Sequence, residues 1–67
     1  MTENITQITP QELASQAQSA YEAEEFQQAA RLFEEVAGLY KQAEEDILAA
    51  EALNNQSVAL LKAGDAK

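Results

Sequence analysis

The sequence predicts an all-α protein: an antiparallel helix-turn-helix repeat of three helices. Abundant Ala, Glu, Gln and Leu, with only two Gly and one Pro, favour helix over strand. One pattern of large apolar, Gln and small residues also occurs twice, 40 residues apart, so that Leu13 and Gln16 correspond to Leu53 and Gln56. Self-similarity at roughly 20–50 residues is typical of stacked helical units, each too small to bury its own apolar face.

The first helix is predicted over residues 10–24, after a disordered tail at residues 1–8. Its start is indicated by a capping box, in which Thr9 accepts a hydrogen bond from the backbone N–H of Glu12 and the Glu12 side chain accepts one from Thr9. Pro10 suits the first helical position, where its missing N–H costs nothing. The apolar stripe at helical spacing is Leu13, Ala17, Ala20 and Tyr21.

The second helix is predicted over residues 26–42. Neither Gly nor Pro marks its start, so the boundary rests on a new apolar stripe and on a short turn at Glu24-Glu25. This stripe is Phe26, Ala29, Ala30, Phe33, Val36, Ala37 and Tyr40. The alternative is one continuous helix from Pro10 to Gln42.

The third helix is predicted over residues 46–63. Asp46 is the expected N-cap, and Gly64 is the expected left-handed residue that ends the helix, with Lys62 in the last turn. We expect its main apolar face to consist of Ile47, Ala50, Leu53, Ser57, Leu60 and Leu61.

Charge and composition exclude several classes of function. Twelve acidic residues against four basic ones give a net charge of −8, which disfavours nucleic acid and anionic membrane surfaces as partners. Without cysteine or histidine, the chain lacks thiolate ligands, imidazole ligands and the commonest general base. We therefore expect no metal, no cofactor and no enzymatic activity. The absence of a signal peptide or a long apolar run favours a cytoplasmic protein.

Two stretches, residues 20–36 and 50–65, resemble the tetratricopeptide repeat family in its 40-residue form. In the first, Tyr21, Phe26 and Phe33 resemble the family's turn and second helix; the second ends in Gly64-Asp65, similar to the family's turn. The first turn departs from the pattern, because Glu24-Glu25 stands in place of Gly-Asp. The resemblance implies a module at residues 9–67, with repeat 1 at about 10–43 and half of repeat 2 at about 46–67, at the N-terminal side of a longer array.

The resemblance also implies a scaffold that binds a peptide or helix of a partner protein on its first and third helices. In the family, Asn side chains on this face hold peptide backbone and Lys meets acidic groups. The expected partner-binding residues are Gln11, Gln18, Tyr21, Asn54, Asn55, Val58 and Lys62. The alternative for these positions is a solvated helix surface without a ligand.

A different class of function is self-assembly. The second repeat lacks its second helix, so the third helix has an apolar surface that another copy of the chain can cover. The residues expected to form such a homo-oligomer contact are Ile47, Leu60 and Leu61. A three-helix bundle with no ligand is a further alternative.

Overall fold

A computed structural model of the chain describes residues 8–65 and confirms the all-α class. The helices are α1 (Pro10–Glu22), α2 (Phe26–Gln42) and α3 (Asp46–Asp65). The break at residues 23–25 rules out a continuous helix from Pro10 to Gln42. Most of the predicted tail, residues 1–7, lies outside the described residues.

The helix directions follow from two clusters of buried residues. One cluster joins the second half of α1 and of α3 to the first half of α2, through Ala17, Phe33 and Ala59. The other joins the opposite halves, through Leu13 and Val36 with Ala52. Helix α2 is therefore antiparallel to both neighbours, while α1 and α3 run in the same direction on one side of it.

The predicted capping box begins α1. The backbone N–H of Glu12 donates to Thr9 Oγ1 at 3.1 Å, and the N–H of Thr9 donates to Glu12 Oε1 at 3.2 Å. The predicted stripe faces inward, with Leu13, Ala17 and Ala20 buried. The helix ends at Glu22, two residues before its predicted end, because Glu24 adopts a left-handed backbone with a φ of 64°.

The two turns have the same sequence, Ala-Glu-Glu, and the same geometry. After α1, the N–H of Glu25 donates to the carbonyl of Ala20 at 2.9 Å and the N–H of Glu24 donates to the carbonyl of Tyr21 at 3.0 Å. After α2, Glu45 and Glu44 repeat both bonds at 2.8 and 3.0 Å, onto Tyr40 and Lys41. This pair of bonds around a left-handed residue is the Schellman motif, which satisfies the last carbonyls of a helix.

The buried residues of α2 are those that its sequence pattern predicts. Ala29, Ala30, Phe33, Val36 and Ala37 are buried, while Phe26 and Tyr40 at the two ends are half-buried. Because both neighbouring helices pack on α2, this helix contributes Phe33, the largest buried side chain among residues 8–65. Small alanines beside Phe33 allow the neighbouring helices to approach closely.

The prediction of which side of α3 is buried is wrong. Ala49, Ala52 and Ala59 are the buried residues, with Gln56 and Ala63 half-buried on the same side. The six residues expected on the main face are all exposed: Ile47, Ala50, Leu53, Ser57, Leu60 and Leu61. Helix α3 has apolar residues on more than one side, and the side with the smaller residues fits the shallow surface of α2.

Both predicted ends of α3 also differ from the structure. Asp46 is the first residue of the helix rather than its cap, and the carbonyl of Glu45 accepts the first backbone bond, from Ala49, at 2.9 Å. At the other end, the helix continues through Gly64 to Asp65, and no described glycine has a positive φ. An uncovered helix end needs no left-handed residue when its carbonyls can reach water.

The two copies of the repeated pattern occupy different environments. Leu13 in α1 is 6% exposed, whereas its equivalent Leu53 in α3 is 49% exposed. Ala20 is likewise buried, whereas its equivalent Leu60 is 53% exposed. Helix α2 covers this face of α1, and no helix within residues 8–65 covers the equivalent face of α3.

Candidate functional site

The side of the molecule where α1 and α3 lie next to each other contains a cleft of about 220 Å³. Its walls come from the two parallel helices and its floor comes from α2. The lining residues are Gln18 and Tyr21 of α1, Phe33 of α2, and Asn55 and Val58 of α3. Four of these five residues are among the predicted partner-binding residues, and the structure brings them together.

Helical spacing explains how this cleft forms. Gln18 and Tyr21 are three residues apart on α1, and Asn55 and Val58 are three apart on α3, so each pair shares one side of its helix. Between the two pairs, Phe33 is 4% exposed and belongs to the core. The cleft therefore has a rigid apolar floor and walls that present amide and phenol groups.

A second cleft, of about 120 Å³, extends the first along the helices. The two clefts share Phe33 and Asn55, so they form one groove between α1 and α3, here called the α1/α3 groove. Its other lining residues are Ala14, Val36, Tyr40, Leu48, Glu51 and Ala52. Of the charged side chains in the part of the chain that the structure describes, Glu51 is the one that lines either cleft.

Local contacts hold two of the groove residues in place. The rings of Tyr21 and Phe26 have their centroids 5.2 Å apart and meet edge to face at 70°, which fixes Tyr21 against the first residue of α2. Gln18 Nε2 donates to Glu22 Oε2 at 3.3 Å along α1. The side-chain oxygen of Gln18 takes no part in this bond, so it can accept a hydrogen bond from a ligand.

Three predicted residues lie outside the groove. Gln11 is exposed in the first turn of α1, and Lys62 is exposed in the last turn of α3. Asn54 lines a shallow hollow on α3 together with Ile47 and Ala50 and with the groove residues Glu51 and Asn55. One residue along a helix is a rotation of about 100°, so Asn55 lines both clefts of the groove while Asn54 lines neither.

Sequence reasoning missed several lining residues of the groove. Phe33 belongs to the core, as its place in the apolar stripe of α2 predicts, and its ring also forms the groove floor. Ala14 lies one turn before Gln18, and Glu51 lies one turn before Asn55, so helical spacing from the predicted residues was the signal that would have found them. Spacing along one helix could not have assigned Leu48 and Tyr40 to the groove, because their positions depend on how α3 packs on α2.

The residues predicted for self-association are strongly exposed. Ile47 is 77% exposed and Leu61 is 72% exposed, and Leu60 lies with Leu53 on the adjoining side of α3. None of them lines the α1/α3 groove, although Ile47 shares a neighbouring hollow with the groove residues Glu51 and Asn55.

Comparisons with models of protein families, with curated proteins and with solved structures found no match for this chain. Among the helices of residues 8–65, none combines the length and the apolar character that crossing a membrane requires. Within the same residues, no group of three or more acidic side chains is arranged to hold a metal ion.

Proposed function

We propose that this chain is a protein-interaction module of the tetratricopeptide type, and that its α1/α3 groove binds a peptide or helix of a partner protein. The observation that carries the proposal is the meeting of Gln18, Tyr21, Asn55 and Val58 above Phe33. Two parallel helices with a third behind them, joined by tight turns, present this groove on a rigid frame. The 40-residue sequence repeat and the resemblance to the family support the same function.

The size of the groove favours a peptide over a small molecule. Pockets that enclose small-molecule ligands usually measure about 300–1,000 Å³ and surround the ligand, whereas the larger cleft here is open and about 220 Å³. Such a cleft accommodates one apolar side chain, with the rest of the ligand lying along the helices. The edge of Phe33 and the side of Val58 then supply the apolar contact.

Amide groups supply the register of the ligand. Gln18 of α1 and Asn55 of α3 line opposite walls of the cleft, and each offers both a donor and an acceptor that match a peptide backbone. Each such bond contributes about 0.5–1.5 kcal/mol, because the ligand gives up bonds to water. Affinity therefore depends mainly on the apolar side chain, and the amides set the position of the peptide.

The charge around the groove favours a neutral or basic ligand. Glu51 lines the groove, Glu22 lies beside Gln18, and the whole chain has a net charge of −8. Among residues 8–65, no basic side chain lines either cleft. An acidic peptide would be repelled, whereas a peptide with Lys or Arg beside its apolar anchor would associate faster.

The test is a selection of peptides from a random phage-displayed library, followed by titration into the isotope-labelled chain. We expect selected peptides to shift the backbone amide resonances of Gln18, Asn55 and Val58 and to carry a positive net charge. The Asn55→Ala substitution should weaken binding about 2–10-fold, and Val58→Asp should abolish it.

The matched control is Gln42→Ala, which removes an exposed amide at the last residue of α2 that lines neither cleft. This substitution should leave the dissociation constant unchanged. Peptides whose resonance shifts lie elsewhere, or whose affinity does not change with Asn55→Ala and Val58→Asp, would show that the groove is not the binding site.

A further inference from the structure

The exposed side of α3 has a pattern that fits a second copy of itself. This side, here called the leucine face, consists of Ile47, Ala50, Leu53, Ser57, Leu60 and Leu61, all of them exposed. Along its middle, Ala50, Leu53, Ser57 and Leu60 follow a spacing of 3, 4 and 3 residues, which is the spacing of a seam between two paired helices. Large and small residues alternate along that seam.

We propose that two copies of this chain associate through the leucine face, with their α3 helices antiparallel. The equivalent face of α1, which contains Leu13, is buried under the antiparallel helix α2. The repeat therefore shows which side of α3 requires a helix and in which direction that helix runs. A second α3 supplies such a helix, and the symmetry of the pair means that each copy covers the other.

One antiparallel register satisfies every seam residue. When Leu60 lies opposite Ala50 of the second copy, Leu53 lies opposite Ser57 of that copy. This follows because Leu53 and Leu60 are seven residues apart on one helix, and Ala50 and Ser57 are seven apart on the other. Each leucine then meets a small residue, which allows close packing without voids. The same register brings Ile47 of one copy within about half a turn of Leu61 of the other.

Charge selects the antiparallel arrangement over the parallel one. The segment before and at the start of α3 contains Glu44, Glu45 and Asp46. A parallel pair would bring the two acidic segments together, whereas an antiparallel pair separates them by the length of a 20-residue helix, about 30 Å. That distance exceeds the screening length of about 8 Å at physiological salt.

The size of the interface predicts a weak dimer. One pair of helices of this length buries less than the total of about 1,600 Å² in a standard stable interface. The net charge of −8 on each copy opposes association as well. We therefore expect a dissociation constant in the micromolar range, and tighter association when salt screens the repulsion.

Sedimentation equilibrium of the chain from micromolar to millimolar concentration tests the proposal. The expected result is a monomer–dimer equilibrium that Leu60→Glu weakens about a hundredfold or more, because the symmetric contact contains this residue twice. Gln42→Glu adds the same charge on the surface of α2 and should change the dissociation constant less than about threefold. Equal loss with both variants would assign the effect to net charge and overturn the proposed contact.

Two further arms test the register and the direction. Ala50→Leu alone should weaken the dimer by crowding Leu60 of the second copy. Adding Leu60→Ala to the same chain should restore the affinity, because each contact again pairs one leucine with one alanine. For direction, the Leu53→Cys and Ser57→Cys variants are mixed and oxidised, since the chain has no cysteine of its own. Antiparallel pairing predicts mainly mixed disulfides between the two variants, and a majority of homodimeric disulfides would overturn it.

A strict monomer at millimolar concentration would also overturn the proposal, and would leave the leucine face to another protein or to solvent. Leu60 does not line the α1/α3 groove, so peptide binding should persist in Leu60→Glu. Each proposal can therefore fail without the other.

Discussion

Glu24 and Glu44 occupy the same left-handed position in two turns, with φ values of 64° and 62°. Each follows an alanine at the end of a helix and precedes a second glutamate, and the two turns lie 20 residues apart. Glycine is the residue that usually fills this position, because its missing Cβ removes the steric cost. The chain therefore contains the same local strain twice.

Replacement of either residue by glycine should stabilise the protein. We expect Glu24→Gly and Glu44→Gly each to raise the free energy of unfolding by about 0.5–1 kcal/mol, since relief of the left-handed backbone outweighs the added flexibility of the unfolded chain. Urea denaturation followed by circular dichroism measures the change. Glu25→Gly removes the same charge where φ is −92°, and should not stabilise.

Gly38 offers a second stabilising change of different origin. It is an exposed residue in the interior of α2, and a Cβ built there meets no atom within 4 Å. Gly38→Ala should therefore gain about 0.5–1 kcal/mol from helix propensity alone. Gly64→Ala, near the uncovered end of α3, should gain less, and an equal gain at both positions would argue that the end of α3 is as firmly held as the middle of α2.

The capping box at Thr9 should contribute measurably to so small a domain. Thr9→Ala removes the hydroxyl that accepts from the N–H of Glu12, and should lower the free energy of unfolding by about 0.5–2 kcal/mol. Thr9→Ser keeps the oxygen and should retain most of the stability. A Thr9→Ala variant with unchanged thermal midpoint would mean that α1 does not depend on this cap.

The orientation of α3 predicts opposite responses from two adjacent residues. Ala59 is fully buried, so Ala59→Leu should overpack the contact with α1 and α2 and cost about 1–3 kcal/mol. Leu60→Ala should change the free energy of unfolding by less than about 0.5 kcal/mol when measured below the concentration at which copies associate. If Leu60→Ala proves the more damaging of the two, the face of α3 has been assigned in the wrong direction.

Phe33 is expected to be the most sensitive position in the core. It is buried in the larger cluster, beside Ala17 and Ala30, and forms the floor of the groove. Phe33→Ala should cost about 3–5 kcal/mol, a large part of the total stability of a small domain. Introducing it into the Glu24→Gly background keeps the loss measurable by urea denaturation, with Phe33→Leu as the milder comparison. A change near zero would place Phe33 outside the core.

The candidate site was predictable where helical spacing alone decides which residues share a side. Gln18 with Tyr21, and Asn55 with Val58, are such pairs, and the structure places both in the groove. The neighbouring residue Asn54 shows the limit of this reasoning. The sequence places it beside Asn55, but the rotation of α3 against α2 turns it to the outer surface, and only packing fixes that rotation.

The sequence by itself determined the start of α1 and the buried side of α2, while the turn between them was left open. The capping signal at Thr9 fixed the start of α1, and α2 has one continuous apolar stripe around Phe33 that admits a single orientation. Helix α3 has leucines on one side and alanines on another, so its periodicity leaves two orientations open. Tertiary structure decided between them, because small residues such as Ala59 allow α3 to lie close to α1 and α2, and the bulkier leucines were left outside.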